Sequence, residues 1–399
     1  MKAALVALLA LATPAAAQGL SEEIGANGIA PTLARLKAQP EPALEDIFAI
    51  GGLHFLSGIE QALQLQWRTG MDQAAGDAGD TLGVPLLRLP IPPNPAPDPF
   101  AGAMVRQLFT DLDAEMQAAR TALAILPEGE DFGLEISVSD LWFDVNANGS
   151  RDPGEEALGI VGPQLMGWQW QDPDPAAPPL VVRFDAADAA WLTAYAHLLS
   201  GVANTILTYD PAASIDRVLA AKAAFGATPQ TQYDYFDFES FVDAFAILEG
   251  AVNQPPDAPR AQAAKGHFLS MIAQNRRFWS LVAQETDNDR EWIPNDAQTS
   301  ALGFALPPGT GDTWQAVLAD GEALLQGRLL IPYWRGTAGQ GLDLGRMFDD
   351  PAAISITGWV QGWAAAPYLE QGPVVTPTSL RQFEALMGGD AGLMMVWLN

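Results

Sequence analysis

Residues 144 to 155 read Asp-Val-Asn-Ala-Asn-Gly-Ser-Arg-Asp-Pro-Gly-Glu. Oxygen-bearing side chains alternate at Asp144, Asn146 and Asn148, and recur at Asp152 and Glu155. In a tight turn such side chains can all point inward, which is the donor set a hard cation requires. Gly149 allows the chain to bend sharply. Without a cation, Asp144, Asp152 and Glu155 would hold three negative charges in one short loop, which is costly. Asp, Asn and Gly are also the residues of ordinary turns, so a bare surface turn is the competing reading.

The pattern resembles the twelve-residue calcium loop of the EF-hand family, over residues 144–155 alone. Asp144, Asn146 and Asn148 fall at loop positions one, three and five, Gly149 at six, Asp152 at nine and Glu155 at twelve. The resemblance implies a Ca2+ ion held by these side chains, with the backbone carbonyl of Ser150 at position seven. Glu155 and Glu156 compete for the closing carboxylate, and spacing favours Glu155. The sequence departs from the family on both sides of the loop. Arg151 stands at a usually apolar position, a strand-like segment (Ile136 to Phe143) leads in, and Pro153 and Gly154 occupy the place of an exit helix. These features predict a structural calcium site rather than a sensor whose helices swing open.

A second polar cluster spans residues 285–296, where Asp287, Asp289 and Glu291 alternate. Trp292 stands where a glycine would be needed, and Gln298 where a closing carboxylate would be needed. The cluster reads as a helix-capping surface turn, a second metal site, or a pair of catalytic acids. His54, His197 and His267 lie in helical patterns beside apolar residues, as buried, hydrogen-bonded core histidines do. There is no Gly-x-Ser-x-Gly elbow, His-Glu-x-x-His pair or phosphate-binding glycine loop. Twelve tryptophans are many for this length. Trp168, Trp170, Trp334, Trp359 and Trp363 suit either core packing or a groove that stacks on sugar rings.

The elements that must position these residues are mostly helical. Met104, Val105, Leu108, Phe109, Leu112, Met116, Ala119, Leu123 and Leu126 form one apolar stripe at helical spacing, and Asp98-Pro99 reads as its start. Further helices are expected over Leu44 to Arg68, Asp188 to Thr208, Ala261 to Gln284 and from Thr376-Pro377 to Gly388. Another follows Asp237, burying Phe238, Phe241, Val242, Phe245 and Leu248. Strand signals at 136–143, 168–170 and 180–184 predict a small antiparallel unit within about 132–185. Leu393 to Leu398 reads as one more buried strand or a docked apolar tail. Residues 85–99 hold seven prolines and predict an extended linker or strap. The fold class expected is α+β, predominantly α-helical, with the β insertion carrying the calcium loop. The expected organisation is an N-terminal helical segment over 18–84, the proline-rich strap, and a main α-rich domain over 100–399. Whether these fold separately is left open.

Composition bounds the function. The 399 residues carry a formal net charge of −28 with no polybasic run, which argues against nucleic acid or an anionic membrane surface as a partner. The absence of cysteine excludes disulfides, thiolate metal sites and a cysteine nucleophile. Lys2, the apolar run Ala3 to Ala12, Pro14 and Ala15-Ala16-Ala17 predict a signal peptide over residues 1–17, cleaved before Gln18. No later stretch is long and apolar enough for a membrane span. The leading expectation is an exported bacterial envelope protein, periplasmic or extracellular, acting as a calcium-stabilised binding or structural component. The alternatives are a hydrolase using paired carboxylates and a carrier with a tryptophan-lined groove. The sequence leaves open whether the protein is an enzyme.

Overall fold

The structure is a computed structural model describing residues 13–71, 89–130, 132–166, 178–225, 238–286, 290–295, 297–301 and 309–376. In chain order the helices are α1 (Thr13–Asn27), α2 (Ile29–Lys37), α3 (Leu44–Thr69), α4 (Gly102–Leu123) and α5 (Ala157–Met166). They continue with α6 (Ala186–Thr208), α7 (Ala212–Phe225), α8 (Phe238–Val252), α9 (Ala258–Val282) and α10 (Thr310–Leu325). Two short helices, α11 (Leu344–Asp349) and α12 (Ile356–Gln361), lie near the end of the described chain. The strands are few. β1 (Leu134–Ser137) pairs antiparallel with β2 (Val181–Phe184), setting Leu134 opposite Phe184 and Ile136 opposite Val182. β3 (Ile331–Pro332), β4 (Gln340–Leu342) and β5 (Leu369–Gln371) form a second antiparallel sheet. The fold is thus α+β and predominantly α-helical.

The core is a row of long helices in which α4 packs on both α3 and α6, and α6 packs on α9. The predicted α4 stripe is its buried face, with Met116 and Ala119 sealed from solvent. The helix begins later than Asp98-Pro99 suggests. Asp98 instead donates its backbone N–H to Arg68 O at 2.8 Å, and the Gly102 N–H is capped by Asp216 Oδ1 of α7 at 2.7 Å. Glycines inside α3 fall where α4 comes closest. A Cβ on Gly51 would sit 2.6 Å from Leu123, and one on Gly58 2.9 Å from Met116. At the start of α6, Asp185 accepts from the Ala187 N–H while Asp188 accepts from the Asp185 N–H, a reciprocal cap.

Two expectations need correction. A helix does follow the calcium-like loop, since α5 starts at Ala157, two residues past Glu155, and holds Pro163 inside it. Helix α8 does not bury its apolar stripe. Phe241, Val242, Phe245 and Leu248 are exposed, while the small residues Ala244 and Ala251 face inward, where α8 meets α7. The small face permits the close approach, and the bulky face is left to solvent. The expected helix from 377 and the run 393–398 lie outside the described residues, as do Trp168 and Trp170.

α1 runs without a break through the expected cleavage point between Ala17 and Gln18. From Leu20 onward it docks on the β insertion. Trp142 Nε1 donates to Ile24 O at 3.1 Å, and the Ser137 N–H donates to Ser21 Oγ at 2.9 Å. Gly28, at φ 81°, lies against the Trp142 ring, where a Cβ would come within 2.9 Å.

Candidate metal loop and its acidic neighbours

The loop at 144–155 is tied at its base. Trp142 bridges Glu156, the Phe143 N–H donates to Glu155 O at 2.9 Å, and the Ala157 N–H donates to Leu141 O at 3.0 Å. The chain then turns through Ala147 at φ 57° and Gly149 at φ 75°, left-handed values that favour glycine. This turn folds the oxygen side chains back over the loop. Asp144 accepts the N–H groups of Asn148 and Gly149 at 2.9 and 2.8 Å. Asn146 Oδ1 accepts the Asn148 N–H at 3.0 Å, and Asn148 Oδ1 accepts the Ser150 N–H at 2.7 Å. Both amides in turn donate to one oxygen of Asp152, each at 2.7 Å. Asp144, Asn146, Asn148 and Asp152 are therefore gathered into one cluster.

Glu155 enters from beneath. It is fully buried, and its two oxygens accept the N–H groups of Val145, Asn146 and Asp152 at 2.9, 3.4 and 2.8 Å. Burial, with the nearby Asp144 charge, pushes its carboxyl above the ordinary range despite these bonds. Glu156 points elsewhere, taking the Gly154 N–H at 3.0 Å and facing Arg151 at 3.9 Å. Of the two glutamates, Glu155 is the one inside the loop. Ser150 is exposed.

Sequence reasoning missed one member. Glu60 of α3 is buried, and its carboxylate accepts the Asp144 N–H at 2.9 Å. Burial, reinforced by the charges of Asp144 and Glu155, raises its carboxyl to about 7. Gln64, one turn further on, donates to Asp144 O at 2.8 Å. A signal for Glu60 was present, because it shares a helical face with the buried Leu53 and Leu63. Among the described residues no lysine or arginine forms an ion pair with Glu60, Asp144, Asp152 or Glu155.

The donor set fits a hard cation in kind. Carboxylate and amide oxygens keep a second lone pair after accepting one N–H, so the turn bonds that fix Asp144, Asn146 and Asn148 leave oxygen available. A cation would replace the two amide–Asp152 hydrogen bonds, and this requires the Asn146 and Asn148 amides to turn.

The second polar cluster contributes to a different group. Glu291 is buried, and its ligand oxygen lies with those of Asp185 and Glu285 inside a 4.8 Å span. Asp188, buried beside them, is held well above the ordinary carboxylate range by burial and then by the Asp185 charge. Asp287 and Asp289 lie outside the described residues. Asp185 and Glu291 are only 4% and 2% exposed, while the half-buried Glu285 lies with Asp185 along a cavity of about 400 Å³.

The histidines divide. His54 of α3 meets Glu115 at 2.7 Å and Lys37 at 3.3 Å, as a hydrogen-bonded core residue. His197 of α6 and His267 of α9 meet each other. Trp334 and Trp363 are exposed on the C-terminal part, 67% and 64%, and so are not core residues. Arg335 covers one ring, its guanidinium 4.4 Å from the Trp334 centroid. No family model, curated protein or solved structure matches the chain.

Proposed function

We propose that the chain is a calcium-stabilised helical protein of an external compartment, acting as a binding or structural component of the bacterial envelope. The observation that supports this reading is the crowding of Glu60, Asp144 and Glu155 about an oxygen-rich turn, where none of them is ion-paired to a lysine or arginine among the described residues. A divalent cation offsets that repulsion. The role is structural, since the loop is tied to α3 through Glu60 and Gln64 and, through Trp142, to α1. Loading the loop would fasten three segments that are distant in sequence.

The experiment is thermal unfolding of chelator-treated protein with and without calcium, paired with calorimetric titration. A site of about 10 μM affinity in 1 mM calcium adds roughly 2.7 kcal/mol. Asp152→Asn and Asp144→Asn keep the turn's acceptor atoms while removing charge, and both should abolish the calcium-dependent gain. Wild-type protein that shows neither heat nor stabilisation would overturn the reading.

A further inference from the structure

A cleft of about 650 Å³ opens between α4, α6 and α9, and none of the loop residues or their neighbours Glu60 and Gln64 lines it. It is lined by polar side chains whose hydrogen bonds are incomplete. Arg120 of α4 reaches across to α6, where only its Nη1 is engaged, by Ala196 O and Ser200 Oγ at 2.8 Å each. Among the described residues no carboxylate lies within ion-pairing distance of it. Asp113, two turns earlier on α4, is turned instead to Arg260 at 3.3 Å and Asn204 at 3.0 Å. The guanidinium thus brings a positive charge, with Nε and one further nitrogen to spare, to the wall of an acidic protein.

Two further groups converge on the same space. His197 and His267 share an Nδ1–Nδ1 hydrogen bond of 3.0 Å. One ring must donate and the other accept, so with both neutral one Nε2 is left an acceptor and the other an N–H donor. Gln274 of α9 has its side-chain carbonyl oxygen buried with no partner. A buried orphan of this kind is destabilising, and a turn of the Gln274 side chain toward the cleft it lines would let a ligand hydroxyl satisfy it.

We propose that this cleft binds a small hydroxylated oxyanion, either a carboxylate or a phosphate ester. Arg120 takes the charged end, as a planar fork matched to such oxygens. The free histidine nitrogens and Gln274 take hydroxyl groups. Asp113, paired with Arg260, lines the same cleft without opposing the bound charge.

The test is calorimetric titration of the full chain with D-gluconate, glycerol 3-phosphate, inorganic phosphate and, as the uncharged control, glycerol. Binding of gluconate or glycerol 3-phosphate with a dissociation constant near 1 mM or tighter, with no heat from glycerol, supports the proposal. Whichever of the two binds more tightly identifies the oxyanion. Arg120→Gln should weaken that binding by about tenfold or more. Because Arg120 also holds α6, Gln274→Leu serves as the second variant. It should weaken binding severalfold while raising the unfolding temperature, as removal of an orphaned polar group does. No heat from any probe with folded wild-type protein overturns the proposal, and so does affinity unchanged in both variants.

Discussion

The Glu60 carboxylate accepts the backbone N–H of Asp144 at 2.9 Å across 84 residues of sequence. That bond places a buried carboxyl group, whose ionisation burial and the Asp144 charge oppose, against the first residue of the proposed calcium loop. The two parts of the molecule are therefore coupled electrically as well as mechanically.

Glu60→Gln tests that coupling. The amide oxygen can still accept the Asp144 N–H, so only the charge is lost. Chelated protein should become more stable at neutral pH, because burial and the Asp144 and Glu155 charges no longer oppose ionisation there. Calcium affinity should fall by roughly threefold or more, since a favourable charge near the cation is gone. Calorimetry and thermal unfolding on the same samples separate the two effects.

Neighbouring glycines in α3 should respond with opposite signs. A methyl at Gly51 meets Leu123 Cγ at 2.6 Å, inside a packed contact with α4. Gly51→Ala should cost about 1–3 kcal/mol through overpacking. At Gly52 the nearest atom is 3.9 Å away, on Leu192. Gly52→Ala should add roughly 0.5–1 kcal/mol by helix propensity alone. Denaturant unfolding midpoints of the two variants decide it.

The loop makes a second contrasting pair. Gly149 has φ 75° and open space around its Cα, so Gly149→Ala should lose about 1–2 kcal/mol to backbone strain alone. Ala147 already sits at φ 57° with a side chain. Ala147→Gly relieves that strain, a gain of up to about 1 kcal/mol set against glycine's greater entropy loss on folding. Chemical denaturation in excess chelator removes any contribution from the cation.

The histidine pair predicts an acid-sensitive fold. Burial, and then the Arg120 charge, push His197 down to about 3, and His267 is lowered from the same two sources. Asp113 pulls His267 the other way, but burial and Arg120 prevail. Below pH 6.5 the unfolded chain binds protons that the folded pair refuses, so stability falls as pH drops from there toward the lower folded values. The slope is at most roughly 1.4 kcal/mol per pH unit for each histidine. Replacing both residues by glutamine should flatten the stability profile between about pH 5 and 6.5, measured by urea unfolding at each pH.

What could be read in the sequence was what is local. Leu108, Leu112, Met116 and Ala119 recur at helical spacing, and they form the buried face of α4. The oxygen-bearing side chains at 144–155 fall in one short stretch, so their gathering into one turn follows from spacing and Gly149. Glu60 joins them from 84 residues away, and His197 meets His267 across 70. No periodicity within either segment encodes such a meeting, which comes from the packing of α3, α6 and α9. Periodicity also leaves undetermined which face of a helix is covered. Phe241 and Phe245 do lie on one side of α8, stacked with centroids 6.4 Å apart, yet that side is the exposed one. At Asp98 the cap signal was present, but α4 starts at Gly102, whose N–H is capped by Asp216 of α7, again a distant residue.

The Trp142–Ile24 bond has a further consequence, in time rather than in space. It spans 118 residues, so a chain made from its N-terminus has α1 in hand long before the residue that α1 docks on. At roughly 5–20 residues per second that interval lasts about 6–24 s. Throughout it the Ile24 carbonyl lacks its Trp142 donor, and the helix stays available to whatever machinery handles nascent chains. The Trp142 bond is thus a late addition to a helix made early.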